Sequence, residues 1–235
     1  NNFGADFIFD NTQIQNNVIH AAHTADINNL LFLGSSCVYP KHAKQPIKEE
    51  YLLTGPLEPT NEAYAIAKIS GIKLCENYKK QYKRNYFSVM PTNLYGPNDN
   101  YDLANSHVLP ALLYKAHQAK LNNASEMTVW GSGKVKREFL YVDDLAEACI
   151  HLINIDYCGS MLNIGTGIDI TIDELAKKIM STVGIEVRLV YDKNFPDGTP
   201  RKVLDVSKIN KLGWSSSTSL QEGLSKVYNN KFLDK

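Results

Sequence analysis

The pattern of apolar and polar positions divides the chain into short buried strands and longer amphipathic helices. Uninterrupted or alternating apolar runs predict strands near residues 29–34, 86–90, 127–130, 137–142, 162–164 and 186–191. Apolar residues spaced mostly three to four apart predict helices near residues 14–22, 61–83, 108–121, 145–150, 171–184 and 219–228. The run at 29–34 is typical of a fully buried strand of a parallel sheet. We therefore predict an α/β fold.

Composition narrows the class of protein. The chain has 235 residues, of which 43% are hydrophobic, enough for one substantial core or for a domain with a smaller lobe. Lys and Arg total 25, as do Asp and Glu, so we expect neither a nucleic-acid nor a membrane-surface partner. No apolar run approaches the roughly 18 residues of a membrane span, and the polar N-terminus lacks a signal-peptide profile. We expect a soluble, cytoplasmic protein.

The cysteines are scattered along the chain and contain no Cys-x-x-Cys pair. This spacing favours free thiols over a disulfide framework or a zinc site, and we expect no bound metal. We expect Cys75, Cys149 and Cys158 to pack as small apolar residues. Cys37 stands in a different context, described below.

Tyr64 and Lys68 lie one turn apart on a predicted helix and project from the same face. A nearby ammonium favours the phenolate, so we expect Lys68 to lower the pKa of Tyr64 from about 10. The Tyr-x-x-x-Lys spacing is a weak signal alone, because both residues are common on helix surfaces. Here, however, the strand at 29–34 ends directly on Ser35, at the edge where α/β sheets bind ligands. These three side chains are the set that a carbonyl reductase needs.

Longer motifs surround these residues. They resemble the GDP-L-fucose synthase family of the extended short-chain dehydrogenase/reductase superfamily, through essentially the whole chain, at residues 34–40, 58–68, 91–100, 105–110 and 196–202. The resemblance implies a Rossmann-like parallel sheet, lacking its N-terminal units, with a smaller mixed α/β substrate lobe. It also implies conversion of GDP-4-keto-6-deoxy-D-mannose to GDP-L-fucose, by epimerisation at C3 and C5 and NADPH-dependent reduction at C4.

The resemblance assigns roles to particular residues. Cys37 and His107 match the base and acid of the epimerisation, although Cys37 could be a buried filler and His107 an ordinary helix N-terminal residue. The implied NADP(H) contacts are Leu33, Gly34, Ser35, Ser36, Tyr64, Lys68, Pro91, Thr92, Asn93, Leu94 and His107. The implied GDP-sugar contacts are Lys115, Trp130, Arg137 and Asp197, with Arg201 a weaker candidate. Trp130 could equally be a packed strand end.

The glycine-rich dinucleotide fingerprint, expected after the first strand of such a fold, is nowhere in this sequence. We therefore expect that the chain is a fragment, or that its N-terminal portion was cut away or left out. A true fragment would bind little cofactor and lack reductase activity. We predict a partial NADP-binding domain at residues 1–96, with a returning segment at about 137–166. The predicted substrate lobe comprises residues 97–136 and 167–235.

Alternatives remain open at this point. A 4-epimerase or 4,6-dehydratase of the same superfamily also uses Tyr-x-x-x-Lys, but a dehydratase typically has Thr-Asp-Glu or Thr-Glu-Glu where this chain has Ser36, Cys37 and Val38. A catalytically silent binding module is a hypothesis of a different class. The resemblance also suggests a homodimer in which the helix at 61–83 helps to form a four-helix interface. Finally, we expect Asp143 or Asp144 to cap the next helix.

Overall fold

The computed structural model describes residues 3–233, and their contacts form two compact units. The first unit comprises Asn1–Thr92, Leu145–Gly167 and Leu204–Ser215, and the second comprises Asn93–Asp144, Ile168–Val203 and Ser216–Lys235. Contacts thus group residues 93–96 and 137–144 with the second unit and residues 204–215 with the first, unlike the division predicted from the sequence. The assignment of cofactor and substrate to separate parts of the chain stays a prediction.

Helices and strands follow one another along most of the chain. The α-helices are α1 (Gly4–Thr24), α2 (Glu62–Tyr82), α3 (Val108–Leu121), α4 (Val142–Asn154), α5 (Ile172–Val183), α6 (Ser207–Lys211) and α7 (Leu220–Tyr228). The strands are β1 (Asn29–Leu33), β2 (Asn85–Pro91), β3 (Asn93–Tyr95), β4 (Glu126–Trp130), β5 (Lys136–Tyr141), β6 (Met161–Ile164), β7 (Asp169–Thr171), β8 (Arg188–Asp192) and β9 (Arg201–Lys202). Short 3-10 helices lie at Ser36–Val38, Glu49–Tyr51 and Pro59–Asn61.

The first unit is built on a parallel sheet of order β1-β2-β6, which confirms the predicted α/β class. The central strand β2 is buried along its length from Tyr86 onward. Strand β1 is only partly buried, and its last residue, Leu33, is exposed, so the prediction of a fully buried strand is wrong. The reason is that, within residues 3–233, β1 pairs with β2 alone and forms an edge of the sheet.

Helix α2 packs against the sheet and against α1. Its buried face includes Ile69 and Ile72, whereas Ile66 is exposed. At Gly71 the helix approaches β1 so closely that an added Cβ would lie 2.5 Å from the Phe32 ring. The helix ends at Lys83, whose left-handed φ of 61° closes the last turn. This packing fixes the face of α2 from which Tyr64 and Lys68 project.

The second unit contains the sheet β3-β5-β7, with β9 also paired to β5, and a separate parallel pair β4–β8. Helices α3, α5 and α7 supply much of its hydrophobic core. As predicted, Thr171 opens α5: its hydroxyl accepts from the Glu174 amide while the Glu174 carboxylate accepts from the Thr171 amide. The sequence analysis did not predict β3, β7, β9 or α6, each of which spans five residues or fewer.

Two further sequence predictions are wrong. Neither Asp143 nor Asp144 is the predicted cap, because α4 begins at Val142 and both lie inside its first turn. Asp144 is also fully buried. Its carboxylate accepts hydrogen bonds from the Ser217 and Thr218 hydroxyls, at 3.0 and 3.1 Å, and from the Thr218 amide. Cys158 is exposed rather than packed.

No helix within residues 3–233 combines the length and the apolar character that a membrane span needs. The same residues contain no group of three or more His, Cys, Asp or Glu side chains that could hold a metal ion.

Candidate active site

The candidate site of the first unit begins where β1 ends. The chain leaves Leu33 through Gly34, whose amide donates to the Val89 carbonyl of β2 at 2.8 Å, and reaches Ser35. Ser35 then caps the short 3-10 helix Ser36–Val38, because its hydroxyl accepts a hydrogen bond from the Cys37 amide at 3.1 Å. This cap holds Ser35 and Cys37 in a fixed relation at the carboxyl end of the strand.

Tyr64 lies beside this strand end. Its hydroxyl lies close enough to the Ser35 side chain and to Cys37 for both groups to influence the pKa of Tyr64. Burial raises the pKa of Tyr64 above its ordinary value, the Ser35 side chain lowers it in part, and Cys37 raises it further. At neutral pH the side chain is therefore a protonated phenol, suited to donating a proton.

Lys68 does not play the part expected from the sequence. Its ammonium donates to the Leu33 carbonyl at 2.9 Å and lies 5.9 Å from the centroid of the Tyr64 ring. Lys68 is not among the groups that shift the pKa of Tyr64, and burial dominates that pKa. The prediction that Lys68 lowers the pKa of Tyr64 is therefore wrong for this structure. Burial also lowers the pKa of Lys68 itself.

A buried hydrogen-bond network lies just beyond this segment. The Tyr39 hydroxyl donates to the side-chain oxygen of Asn163 at 2.5 Å, and the Asn163 amide donates to Glu49 at 3.0 Å. The Asn163 side chain also donates to the Ile47 carbonyl at 2.9 Å. Burial, with the nearby Glu49 charge, raises the pKa of Tyr39, so this phenol stays neutral. The sequence analysis did not identify this network, because its members are separated by up to 124 positions.

The residues at this strand end fit one end of a dinucleotide cofactor. An ammonium carries three N–H donors, of which the Leu33 carbonyl takes one, and the Ser35 hydroxyl lies at the following turn, where Ser36 is buried. Ribose hydroxyls and a carboxamide are hydrogen-bonding groups that such side chains recognise. Strand β2 ends in the same direction as β1, at Pro91 and Thr92. The structure thus brings Ser35, Cys37, Tyr64 and Lys68 together at the sheet edge where α/β proteins bind ligands.

The other predicted residues lie in the second unit. Asn93 and Leu94 belong to β3, where the Asn93 side chain donates to the Glu138 carbonyl at 2.8 Å. His107 is an exposed residue at the N-cap position of α3. It is therefore a helix N-terminal residue, as the plainer interpretation held, and its exposed imidazole is open to a ligand.

Two pairs of predicted substrate residues are in contact within the second unit. The Lys115 ammonium lies over the Trp130 ring, 4.4 Å from its centroid, and the Arg137 guanidinium donates to the Asp197 carbonyl at 3.3 Å. The Asp197 carboxylate accepts from the Ser132 amide at 2.7 Å, a hydrogen bond that lowers the pKa of Asp197. The weaker candidate, Arg201, forms an ion pair with Asp169. This ion pair gives Arg201 a role in holding the second unit together.

Phe195 is a further aromatic residue in this region that the sequence analysis did not select. Its ring stacks on Trp130, with centroids 4.1 Å apart and planes 8° apart. One signal was available, since Phe195 is the single aromatic residue of the polar, Pro- and Gly-containing segment 193–200.

Comparison with known proteins places the chain in a family. Residues 1–165 match the NAD dependent epimerase/dehydratase family. The chain belongs to this family. The match covers both the strand end with Ser35 and Cys37 and the helix with Tyr64 and Lys68.

Relatives within the NAD dependent epimerase/dehydratase family share one name. A GDP-L-fucose synthase of Escherichia coli (strain K12) is 56% identical over 237 residues, which cover 97% of this chain and 74% of that protein. A putative GDP-L-fucose synthase 2 of Arabidopsis thaliana is 57% identical over 229 residues, covering 97% of this chain and 70% of that protein. These relatives confirm the resemblance identified from the motifs.

Solved structures of the same fold carry related descriptions. A GDP-L-fucose synthetase from Naegleria fowleri bound to NADP is 28% identical, with a TM-score of 0.88 over 97% of this chain and 73% of that one. A GDP-6-OMe-4-keto-L-xylo-heptose reductase from Campylobacter jejuni is 37% identical, with a TM-score of 0.89 over 96% of this chain and 76% of that one. Their similarity confirms the predicted Rossmann-like architecture.

Proposed function

We propose that the protein converts GDP-4-keto-6-deoxy-D-mannose to GDP-L-fucose, by epimerisation at C3 and C5 followed by NADPH-dependent reduction at C4. The observation that carries this proposal is the grouping of Cys37 with Ser35 and Tyr64 at the end of β1. A cysteine thiolate can abstract a proton, whereas a protonated phenol can donate one during reduction of a carbonyl. Relatives named GDP-L-fucose synthase, which are 52–57% identical to the chain, support the same activity.

Epimerisation requires an acid and a base on opposite faces of the sugar ring. The C4 carbonyl acidifies the protons on C3 and C5, so a modest base can remove each one and leave an enolate. In our proposal Cys37, as the thiolate, takes the proton, and His107 returns one to the opposite face. Exchange with solvent then removes the proton from Cys37 and returns one to His107, so that each cycle inverts one carbon without net oxidation or reduction. The roles of Cys37 and His107 stay predictions that rest on the family resemblance.

Reduction uses the remaining residues of the strand end. NADPH, when bound, supplies the hydride for C4. Tyr64 donates its phenolic proton to the developing alkoxide at O4, and the Ser35 hydroxyl hydrogen-bonds to the same oxygen. Lys68 holds α2 to the end of β1 through the Leu33 carbonyl and presents its remaining N–H donors to the cofactor. Solvent then returns a proton to Tyr64.

We assign the binding residues by the same resemblance. NADP(H) would contact Leu33, Gly34, Ser35, Ser36, Tyr64, Lys68, Pro91, Thr92, Asn93, Leu94 and His107. The GDP-sugar would contact Lys115, Trp130, Arg137 and Asp197. A guanidinium suits a diphosphate and an indole ring suits a base or sugar, which supports these assignments in chemical terms. Location in the cytoplasm stays a prediction.

A homodimer is also part of the proposal. Helix α1, which packs on α2, presents Phe7, Ile14 and Val18 on one face, and they are 41%, 64% and 59% exposed. Spacings of seven and four residues align these side chains along one stripe, as in helices that pair with other helices. A second copy would cover the stripe and create a four-helix interface. An Ile14→Asp variant should shift the mass measured by light scattering from dimer to monomer, whereas a monomeric wild-type protein at micromolar concentration would contradict the dimer.

The proposed activity is tested with the protein expressed from the complete reading frame that contains this chain. Purified protein is incubated with GDP-4-keto-6-deoxy-D-mannose and NADPH, and the product is identified by NMR. We expect one NADPH consumed for each GDP-L-fucose formed. Consumption of NADPH with the manno configuration retained at C3 and C5 would show a simple 4-reductase and would contradict the proposal.

A second candidate is the reduction of a different GDP-4-keto sugar. The similar Campylobacter jejuni structure, described as a reductase of a GDP-4-keto-heptose, favours this possibility. The two candidates differ in the substrate accepted and in whether epimerisation precedes the reduction. Competition between GDP-4-keto-6-deoxy-D-mannose and a GDP-4-keto-heptose in one reaction separates them, because the preferred substrate has the higher kcat/KM.

A further inference from the structure

The stacked rings of Phe195 and Trp130 lie at the protein surface. The two planes are nearly parallel, at 8°, and the centroids are 4.1 Å apart. Both rings remain accessible, with Trp130 43% and Phe195 38% exposed. The Lys115 ammonium also lies over the indole, at 4.4 Å. The pair is thus a surface contact on a residue that we assign to the GDP-sugar.

Two anchors place the Phe195 ring on Trp130. Trp130 is the last residue of β4 and pairs with Asp192, the last residue of β8. Phe195 follows three positions later, and its amide donates to the Asp192 carbonyl at 3.4 Å. On the other side, Asp197 accepts from the Ser132 amide at 2.7 Å. The backbone of this segment is therefore held at both ends, while the Phe195 side chain can leave by rotation about its own bonds.

We propose that Phe195 is an aromatic cover of the nucleotide site, whose ring occupies a face of Trp130 until the guanine base of GDP displaces it. This inference rests on the proposed function, in which Trp130 contacts the GDP-sugar. A base inserted between the two rings would need them about 7 Å apart, twice the usual contact distance, so the contact must open on binding. The anchors at Asp192 and Asp197 stay in place while it does. Phe195 therefore acts as an internal competitor of the base.

The cover predicts tighter nucleotide binding when the ring is removed. Phe195→Ala should lower the Kd of GDP about two- to tenfold, the range that one aromatic pair contributes to binding. Inorganic pyrophosphate, which has no base, should bind both proteins equally. Phe9→Ala, which removes an exposed phenylalanine of α1, is the matched control and should leave both constants unchanged. Isothermal titration calorimetry measures the Kd of GDP and of pyrophosphate for the wild-type protein and for each variant.

Fluorescence gives a readout that does not depend on affinity. Within residues 1–235 a Trp214→Phe background leaves Trp130 as the single tryptophan, and any tryptophan elsewhere in the reading frame is also replaced by phenylalanine. Acrylamide should quench Trp130 more strongly in Phe195→Ala than with Phe195 present, and GDP should protect Trp130 in both proteins.

The outcomes separate the inference from the function on which it rests. Suppose that GDP binds and protects Trp130, but that the Kd of GDP for Phe195→Ala is equal to or higher than that for the wild-type protein. Only the proposed cover would then be wrong. An equal gain for pyrophosphate would also overturn it, since the effect would not involve the base. If GDP bound to neither protein, the proposed function would itself be wrong, and the cover with it.

Discussion

The Ser35 hydroxyl accepts a 3.1 Å hydrogen bond from the backbone amide of Cys37. The serine that we assign to reduction therefore fixes the backbone of the cysteine that we assign to epimerisation. The Tyr64 phenol lies near the same serine, whose side chain lowers the pKa of Tyr64 in part. One hydroxyl at the end of β1 thus connects the two proposed reactions.

Ser35→Ala should impair both reactions, because it removes the cap of the 3-10 helix and the partner of Tyr64. We expect roughly tenfold slower proton exchange at C3 and C5, and at least a tenfold slower reduction. Exchange is followed by NMR in heavy water without NADPH, and reduction by NADPH absorbance. Ser35→Thr, which keeps the hydroxyl, serves as control. A variant that lost only the reduction would show that the cap on Cys37 is unimportant.

Tyr64→Phe should separate the two reactions. Loss of the proton donor should slow the reduction roughly 100- to 10,000-fold, while exchange at C3 and C5 continues near the wild-type rate. Tyr82→Phe, an exposed tyrosine near the end of the same helix, is the matched control. Reduction at the wild-type rate in Tyr64→Phe would remove Tyr64 from the mechanism.

Cys37→Ser should have the opposite effect on the two steps. A serine hydroxyl is far less acidic than a thiol, so exchange at C3 and C5 should fall roughly 100- to 10,000-fold. Cys158→Ser replaces an exposed thiol and should leave exchange unchanged. If Cys37→Ser exchanged both protons normally, another residue would have to be the base.

The pH dependence of the reduction follows from the pKa of Tyr64. Burial raises this pKa above the ordinary tyrosine value of 10.0, and the protonated phenol is the form that donates. Tyr64 should therefore stay protonated throughout the neutral range, and the rate of reduction should fall only as the pH rises above 10. The rate of reduction is measured from neutral to alkaline pH in saturating substrate. A loss of rate below about pH 9 that disappears in Tyr64→Phe would contradict the raised pKa.

Asn163→Ala should destabilise the first unit. Asn163 is fully buried and serves Tyr39, Ile47 and Glu49, so its loss leaves buried partners unsatisfied. Since the Glu49 bond is made by the backbone amide, the side-chain partners carry the effect, about 3 kcal/mol in the free energy of unfolding by urea. Asn16→Ala, on the exposed side of α1, should change it by less than about 0.5 kcal/mol. A wild-type unfolding midpoint for Asn163→Ala would show that the network does not stabilise the unit.

Local signals predicted most of the longer elements. The bounds of α3 match the predicted range at 108–121, and Thr171 opens α5 as predicted. The short elements β7 and β9 were missed, because strands of two or three residues carry too little periodicity to detect. Their pairing with β5 depends on residues distant in sequence.

The site was predictable where one local motif carries it. Ser35 and Cys37 are two positions apart and Tyr64 and Lys68 share one helix face, so their grouping needed only one strand end and one helix. The hydrogen-bond partner of Lys68 was not predictable, because the ammonium donates to the Leu33 carbonyl, 35 positions earlier in the chain. The stack of Phe195 on Trp130 could not be predicted for a similar reason. The pairing of β4 with β8 brings together the segments that carry the two rings, and these segments are distant in sequence.

One reaction in heavy water tests the central claim most directly. The protein from the complete reading frame is given GDP-4-keto-6-deoxy-D-mannose and NADPH in deuterated buffer, and the product is analysed by NMR and mass spectrometry. The account predicts GDP-L-fucose that carries deuterium at both C3 and C5, with one NADPH oxidised for each molecule formed. A reduced product without deuterium at these carbons would contradict it, because Cys37 would then not be working as an epimerase base.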